Sequence, residues 1–246
     1  MARVAALAWA LVCLAGPGIA QTDVVTNGSF ESGLTSWTTA TTVEDSGAGT
    51  CSYNGVTAPG TETVTSQVGF AATDGTQTAL GYVADTHGTG AIISCVLYQD
   101  VAIPAGATTA TFSFDIGITH TPGNNTNNGA TVGIFSTGTV PGFADAPIVG
   151  GASGKNTLTT GHSADAALTH QASATISVSS RAGTTVRFAI INAANNSGFE
   201  VVGVDNVRFL VNVQVATVPT LSEWALVGLG MLLAGMGIWA LRRRTA

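Results

Sequence analysis

The C-terminal end constrains this chain most. From Trp224 to Leu241 run 18 consecutive uncharged residues rich in Leu, Ala, Gly and Met, and Arg242, Arg243 and Arg244 follow directly. A helix of that length is about 27 Å long, close to the ~30 Å of a bilayer's hydrocarbon core. A buried core helix would not carry three arginines flush against its apolar run. A membrane span over 224–241 is therefore the better reading, and the basic end 242–244 favours the cytoplasmic side.

The other end points the same way. Arg3 supplies a positive start, Val4 to Ala15 an apolar stretch too short to span, and Gly18-Ile19-Ala20 a small-x-small cleavage site before Gln21. Cys13 follows Val12, where a lipoprotein signal would want a small residue. Residues 1–20 are thus expected to be a signal peptide. The chain is exported on this reading, with residues 21 to about 217 outside the cytoplasmic membrane and one anchoring helix.

Just ahead of the apolar run stands Val218-Pro219-Thr220-Leu221-Ser222-Glu223-Trp224. With the helix and basic end, residues 218–246 resemble the IPTL-CTERM sorting signals of Gram-negative bacteria, Val218 standing where the family usually has Ile. The resemblance implies recognition by an exosortase-type membrane protease, which would cut near the motif and release the ectodomain to the cell surface or matrix. Proline keeps the segment before the helix extended, and Trp224 suits the membrane interface.

Residues 21–217 carry 13 acidic side chains against four basic ones, Lys155, Arg181, Arg187 and Arg208. That balance argues against nucleic acid as a partner. Thr, Ser, Asn and Gly supply most of the polar surface, which suits an extracellular β-protein. With Cys13 gone, Cys51 and Cys95 remain, and an even pair in an oxidising compartment is most simply one disulfide. Neither cysteine has the His or Cys neighbours a metal site would need.

The apolar pattern has period two. Thr111 to Ile116 and Ser173 to Val178 alternate, while Val186–Ile191 and Val204–Val211 read as better-buried strands. Further candidates are 62–68, 76–84, 91–101 and 129–136. Turn clusters lie at Thr121–Gly129 and Gly142–Gly161. About ten short strands without a helical stripe predict an all-β, antiparallel two-sheet sandwich over 21–211, with 212–217 as linker.

The string Asn27-Gly28-Ser29-Phe30-Glu31-Ser32-Gly33, followed by Trp37, is similar to the opening of galactose-binding-like jelly rolls, the fold of many carbohydrate-binding modules. Val204-Asp205-Asn206-Val207 matches their closing strand, and Thr73 to Gly81 and Leu97 to Val101 match strings between. The resemblance implies a jelly roll. It also implies a structural Ca2+ held by Glu31 and Asp205, with Asp74 as a third ligand. Were the two carboxylates ~5 Å apart they would repel by roughly 3 kcal/mol at an effective dielectric near 20, and a hard cation would turn that cost into a clamp.

Sugar stacking needs an exposed ring. Trp37 reads as core by the family pattern and Tyr98 lies in a dense apolar strand, which leaves Tyr53 and Tyr82 to line a sugar site. His87, His120, His162 and His170 have no metal-ligand spacing. Gly150 to Asn156 fails both as a phosphate loop and as a nucleophile elbow, and reads as a flexible surface loop. The expected function is a non-enzymatic, surface-displayed structural or adhesive protein. The alternative is a module that binds polysaccharide, and a secreted hydrolase stands last.

Overall fold

Residues that alternate in the sequence alternate between a buried and an outward face in the structure, a computed structural model that describes residues 18–44, 49–57, 60–61, 69–85, 92–120, 129–150, 155–159, 168–195, 199–215 and 221–244. The strands are β1 (Gly18–Asp23), β2 (Thr38–Glu44), β3 (Gly49–Thr57), β4 (Gly60–Thr61), β5 (Gly69–Phe70), β6 (Gln77–Asp85) and β7 (Ile92–Ala102). They continue with β8 (Ala107–His120), β9 (Gly129–Phe135), β10 (Lys155–Thr159), β11 (Thr169–Ala172), β12 (Ile176–Ser177), β13 (Thr185–Asn195) and β14 (Phe199–Val215). Helix α1 (Leu221–Arg244) ends the described chain.

Two sheets carry the body. One runs β11-β8-β14-β6-β3, with β1 also on β14 and β12 also on β8; the other runs β10-β9-β13-β7-β2. The ladders are antiparallel, so the expected two-sheet sandwich is present. It occupies Ala20–Val213, and α1 belongs to a second unit.

Between the sheets the core is aromatic. Phe188 of the five-stranded sheet stacks on Phe209 at 5.6 Å and meets Phe112 edge-on at 5.8 Å, both from the seven-stranded sheet. Such pairs add to the burial of 150–250 Å² that each ring brings. The outer faces are not bare either. Phe70, Leu80, Tyr82 and Val201 cluster outside the seven-stranded sheet, where the Phe70 ring lies against Gly203 in space that a Cβ would fill. Phe143, from the stretch expected to be only turns, packs outside the five-stranded sheet beside Val96, Phe135, Ala189 and Ile191.

Several expectations shift. Lys155 and Asn156, read as loop, are strand residues paired with Gly133 and Val132. The alternating run Ser173–Val178 yields only the two-residue β12, although Ser173 and Val178 still donate to Phe112 O and Thr108 O. The closing strand runs through Val215, past the expected boundary at 211, because Asn212 and Val213 still pair with Thr109 and Ala107. The strand expected at 62–68 lies outside the described residues, as do residues 1–17 of the expected signal peptide. Cleavage after Ala20 would leave these bonds of the opening segment: Gln21 Nε2 donates to Asn212 Oδ1, Asp23 Oδ1 accepts from Phe209 N, and Val24 N donates to Phe209 O.

Cys51 on β3 and Cys95 on β7 form a disulfide, Cα to Cα 5.3 Å, that ties the two sheets together. It closes a loop of sequence separation 44, for which the chain-entropy relation gives ~4 kcal/mol. The paired Cys51→Ser, Cys95→Ser variant is expected to lose on the order of that amount in urea denaturation, and an unchanged midpoint would show that the bridge is thermodynamically idle.

Candidate functional site

The strings that resemble jelly-roll signatures are brought to one place, at the opening loop 24–37. Asn27 is its hub. Its side-chain amide donates to Gly33 O at 2.9 Å and Thr35 O at 3.0 Å and accepts from Ser32 N, while its carbonyl accepts Trp37 Nε1 at 3.0 Å. Asn27 itself adopts φ of 52°, a left-handed conformation that Asn tolerates. Phe30 and Trp37 drop into the core, their rings 5.3 Å apart. From β7, Gln99 accepts Thr26 N at 2.8 Å and donates to the carbonyls of Thr26 and Ser36, both at 3.0 Å. Gly28 is held to the closing strand by Val207 N, 2.9 Å from its carbonyl, and a side chain there would strike that strand's backbone.

The closing strand carries a bulge between Asp205 and Arg208, with Asn206 at φ 48°. The bulge reverses the facing pattern: Val202 and Val204 point into the core before it, Val207 and Phe209 after it. Asp205, on the outward side, takes hold of the turn before β6. Its Oδ2 accepts Thr73 N at 2.7 Å, Asp74 N at 2.9 Å and Thr73 Oγ1 at 3.2 Å, and its Oδ1 accepts Asn206 N at 2.7 Å. Glu31 grips the far end of the same turn. Its Oε1 accepts Thr76 N at 2.7 Å and Gln77 N at 2.6 Å, and Oε2 accepts Thr76 Oγ1 at 3.0 Å.

Glu31 and Asp205 are thus each an acceptor for one end of the 73–77 turn. Asp74 contributes a backbone N–H, and its carboxylate stands 3.7 Å from the Arg208 guanidinium instead. Both carboxylates are met by N–H and O–H donors of the 73–77 turn. Among the described residues no group of three or more His, Cys, Asp or Glu side chains gathers as a metal site.

Sequence reading missed the rest of the network. The pairing register places His170, Asp115 and Asp205 in one row across β11, β8 and β14. His170 Nδ1 lies 2.6 Å from Asp115 Oδ1, while Asp115 Oδ2 accepts Thr73 Oγ1 at 2.5 Å and Asn206 Nδ2 at 3.2 Å. Alternation in β8 put Asp115 on the outer face; nothing in a single sequence reveals which strand lies beside it. His170 is exposed, as expected, but partnered. His87 and His162 and the side chain of His120 lie outside the described residues.

The carboxyls answer differently to their surroundings. N–H groups of Gln77 and Thr76 hold Glu31 below its ordinary value, against slight desolvation. Burial opposes ionisation of Asp115, but the bonds from Thr73, His170 and Asn206 together outweigh it and lower its pKa. For Asp205 burial wins over the donors and pushes the carboxyl up.

The expected sugar-binding tyrosines are both buried, each with 6% of its surface exposed. Tyr53 lies in the inter-sheet core and Tyr82 in the outer cluster with Phe70. Their strand positions fall under other elements, so neither presents a ring face to a pyranose. Tyr98 is the half-buried one. It lies outside the five-stranded sheet with the Arg187 guanidinium 3.8 Å above its ring centre, and Arg187 is in turn held by Asp100 at 2.7 and 2.9 Å and by Thr139 O at 2.8 Å.

In α1, the stretch Trp224–Arg243 has mean hydropathy 1.9 and none of it is buried. The helix begins at Leu221, inside the expected sorting motif; Val218, Pro219 and Thr220 lie outside the described residues. Arg243 stacks on Trp239 at 3.9 Å.

Residues 216–244 match the IPTL-CTERM motif. No curated protein sequence matches the chain. Among solved structures it is similar to TmCBM61 in complex with β-1,4-galactotriose, at 10% identity and TM-score 0.42, covering 76% of this chain and 97% of that one. It is also similar to the Stig cyclase FisC from Fischerella sp. TAU, at 16% identity and TM-score 0.45 over 80% and 100%. A third is the K1 cleaved adhesin domain of Lys-gingipain from Porphyromonas gingivalis W83, at 15% identity and TM-score 0.40 over 81% and 99%.

Two outcomes test the latch. Asp205→Ala strands three backbone N–H groups and is expected to cost about 2–4 kcal/mol in urea denaturation, with Asp205→Asn costing less. The stability from Glu31 and Asp115, whose folded pKa values are lowered, is complete above the ordinary carboxylate range and lost as pH falls through the folded values; Asp205 acts with the opposite sign. Glu31→Gln is therefore expected to flatten the fall in Tm between about pH 5 and pH 3, and an unaltered profile would remove Glu31 from the latch.

Proposed function

We propose that this chain is an exported structural or adhesive module, displayed outside the cytoplasmic membrane and tethered by α1 until an exosortase-type protease acts near 218–224. The carrying observation is the C-terminal segment: a sorting motif over 216–244 containing one unburied apolar helix of spanning length. A basic end at 242–244 supports a cytoplasmic C-terminus, and an inter-sheet disulfide suits an oxidising compartment. The body's part is presentation. A sandwich with a latched opening loop and a covalent tie between sheets offers a stable, mildly acidic surface without a catalytic step.

Replacing Pro219, Thr220 and Leu221 together by Ala is expected to leave the full-length protein in the membrane fraction of its host, where the unaltered chain gives a shorter form at the surface or in the medium. An unaltered chain that is never shortened would reduce the tail to a permanent anchor.

A second reading, polysaccharide binding, is favoured by Tyr98. Its ring lies half-buried outside the five-stranded sheet, with Arg187 over it and Asp100 holding Arg187, an aromatic surface with polar groups beside it. On a glycan array the full-length protein should bind at least one polysaccharide, with affinity falling tenfold or more in Tyr98→Ala. A blank array would dismiss this reading.

A further inference from the structure

Five buried polar atoms in the interior of the sandwich have no hydrogen-bond partner among the described residues: both carboxyl oxygens of Glu200, the amide oxygen and nitrogen of Asn192, and the phenol oxygen of Tyr53. The three residues are 1%, 0% and 6% exposed. Buried groups of this kind are ordinarily satisfied, and each one left unmet is costly.

They lie in one layer. Along β14, Glu200 shares the inward face of Val202 and Val204, whereas Val201 belongs to the outer cluster. Glu200 pairs with Val83, and Val83 with Cys51; on the other sheet Asn192 pairs with Cys95. The Cys51–Cys95 bridge therefore aligns the two rows, with Glu200 on one wall and Asn192 on the other. Tyr53 reaches the same place because Gly81 has no side chain: its ring crosses β6 there, in space any Cβ would fill, toward Val202 of β14. Burial first, and the Glu200 carboxyl after it, push the Tyr53 phenol up.

No salt bridge among the described residues reaches Glu200. A proton would neutralise the carboxyl but leave both amide atoms of Asn192 unmet. A hard cation would engage four oxygens together, and a water completing its shell could accept from the Asn192 N–H. We propose that Glu200, Asn192 and Tyr53 form an interior site for a hard, oxygen-liganded cation of the calcium class, one layer from the disulfide and separate from the Glu31–Asp205 latch.

Full-length protein in detergent, stripped with chelator and titrated with CaCl2, provides the test. Its Tm should rise saturably, on the order of 5–10 °C at a hundredfold excess over Kd. Glu31→Gln should keep that response, Glu200→Gln should abolish it, and Asn192→Leu should weaken the apparent affinity tenfold or more. Should Glu200→Gln fail to fold, Tb3+ provides a second readout: tyrosine-sensitised luminescence is expected from the unaltered chain and lost in Tyr53→Phe. A flat titration of the unaltered protein, a full response in Glu200→Gln, loss of the response in Glu31→Gln, or undiminished Tb3+ luminescence in Tyr53→Phe would each overturn the proposal.

Discussion

Most of the local architecture depends on how one turn is gripped. Residues 73–77 lead into β6, an inner strand of the seven-stranded sheet, and offer four backbone N–H groups that no ladder satisfies. Asp205 takes two of them and Glu31 the other two. Asp205 comes from the closing strand and Glu31 from the opening loop, so one turn joins the two ends of the domain. Burying the Asp205 carboxylate is unfavourable in itself, and its four hydrogen bonds offset only part of that penalty. The bulge beside it lets an aspartate face outward here while Phe209, four residues on, faces in.

The fold class was legible because burial imposes a two-residue period, plain in the sequence of β8, and because β13 and β14 read as short apolar runs of strand length. What stayed hidden was local or relational. β3 carries Cys51 and Tyr53 in a Gly- and Asn-containing segment with weak apolar contrast, and β10 lies within a Gly-rich stretch. The likeness of Glu31 and Asp205 to signature positions was readable; that both would hold the 73–77 turn was not, since a sequence does not say which distant segment a carboxylate will meet. Tyr53 and Tyr82 show the same limit. An aromatic residue in a strand says little about which layer will cover it, and here the covering elements are distant in sequence.

The two units answer to different solvents. In the sandwich even the outer faces are partly clothed, by Phe70 over one sheet and by Phe143 over the other. In α1 the large apolar side chains from Leu226 to Leu241 stand open. A helix apolar on every side has no preferred face for a protein core, and hydrocarbon is the surrounding that matches it. Composition alone separated these units, because residue types respond to solvent before they respond to topology.

β14 is a 17-residue strand that passes between β8 and β6 and continues along the chain toward the tail. A pull applied along β14 itself would load that strand lengthwise. Its ladder bonds on both flanks would then resist sliding in concert instead of opening one after another like a zip.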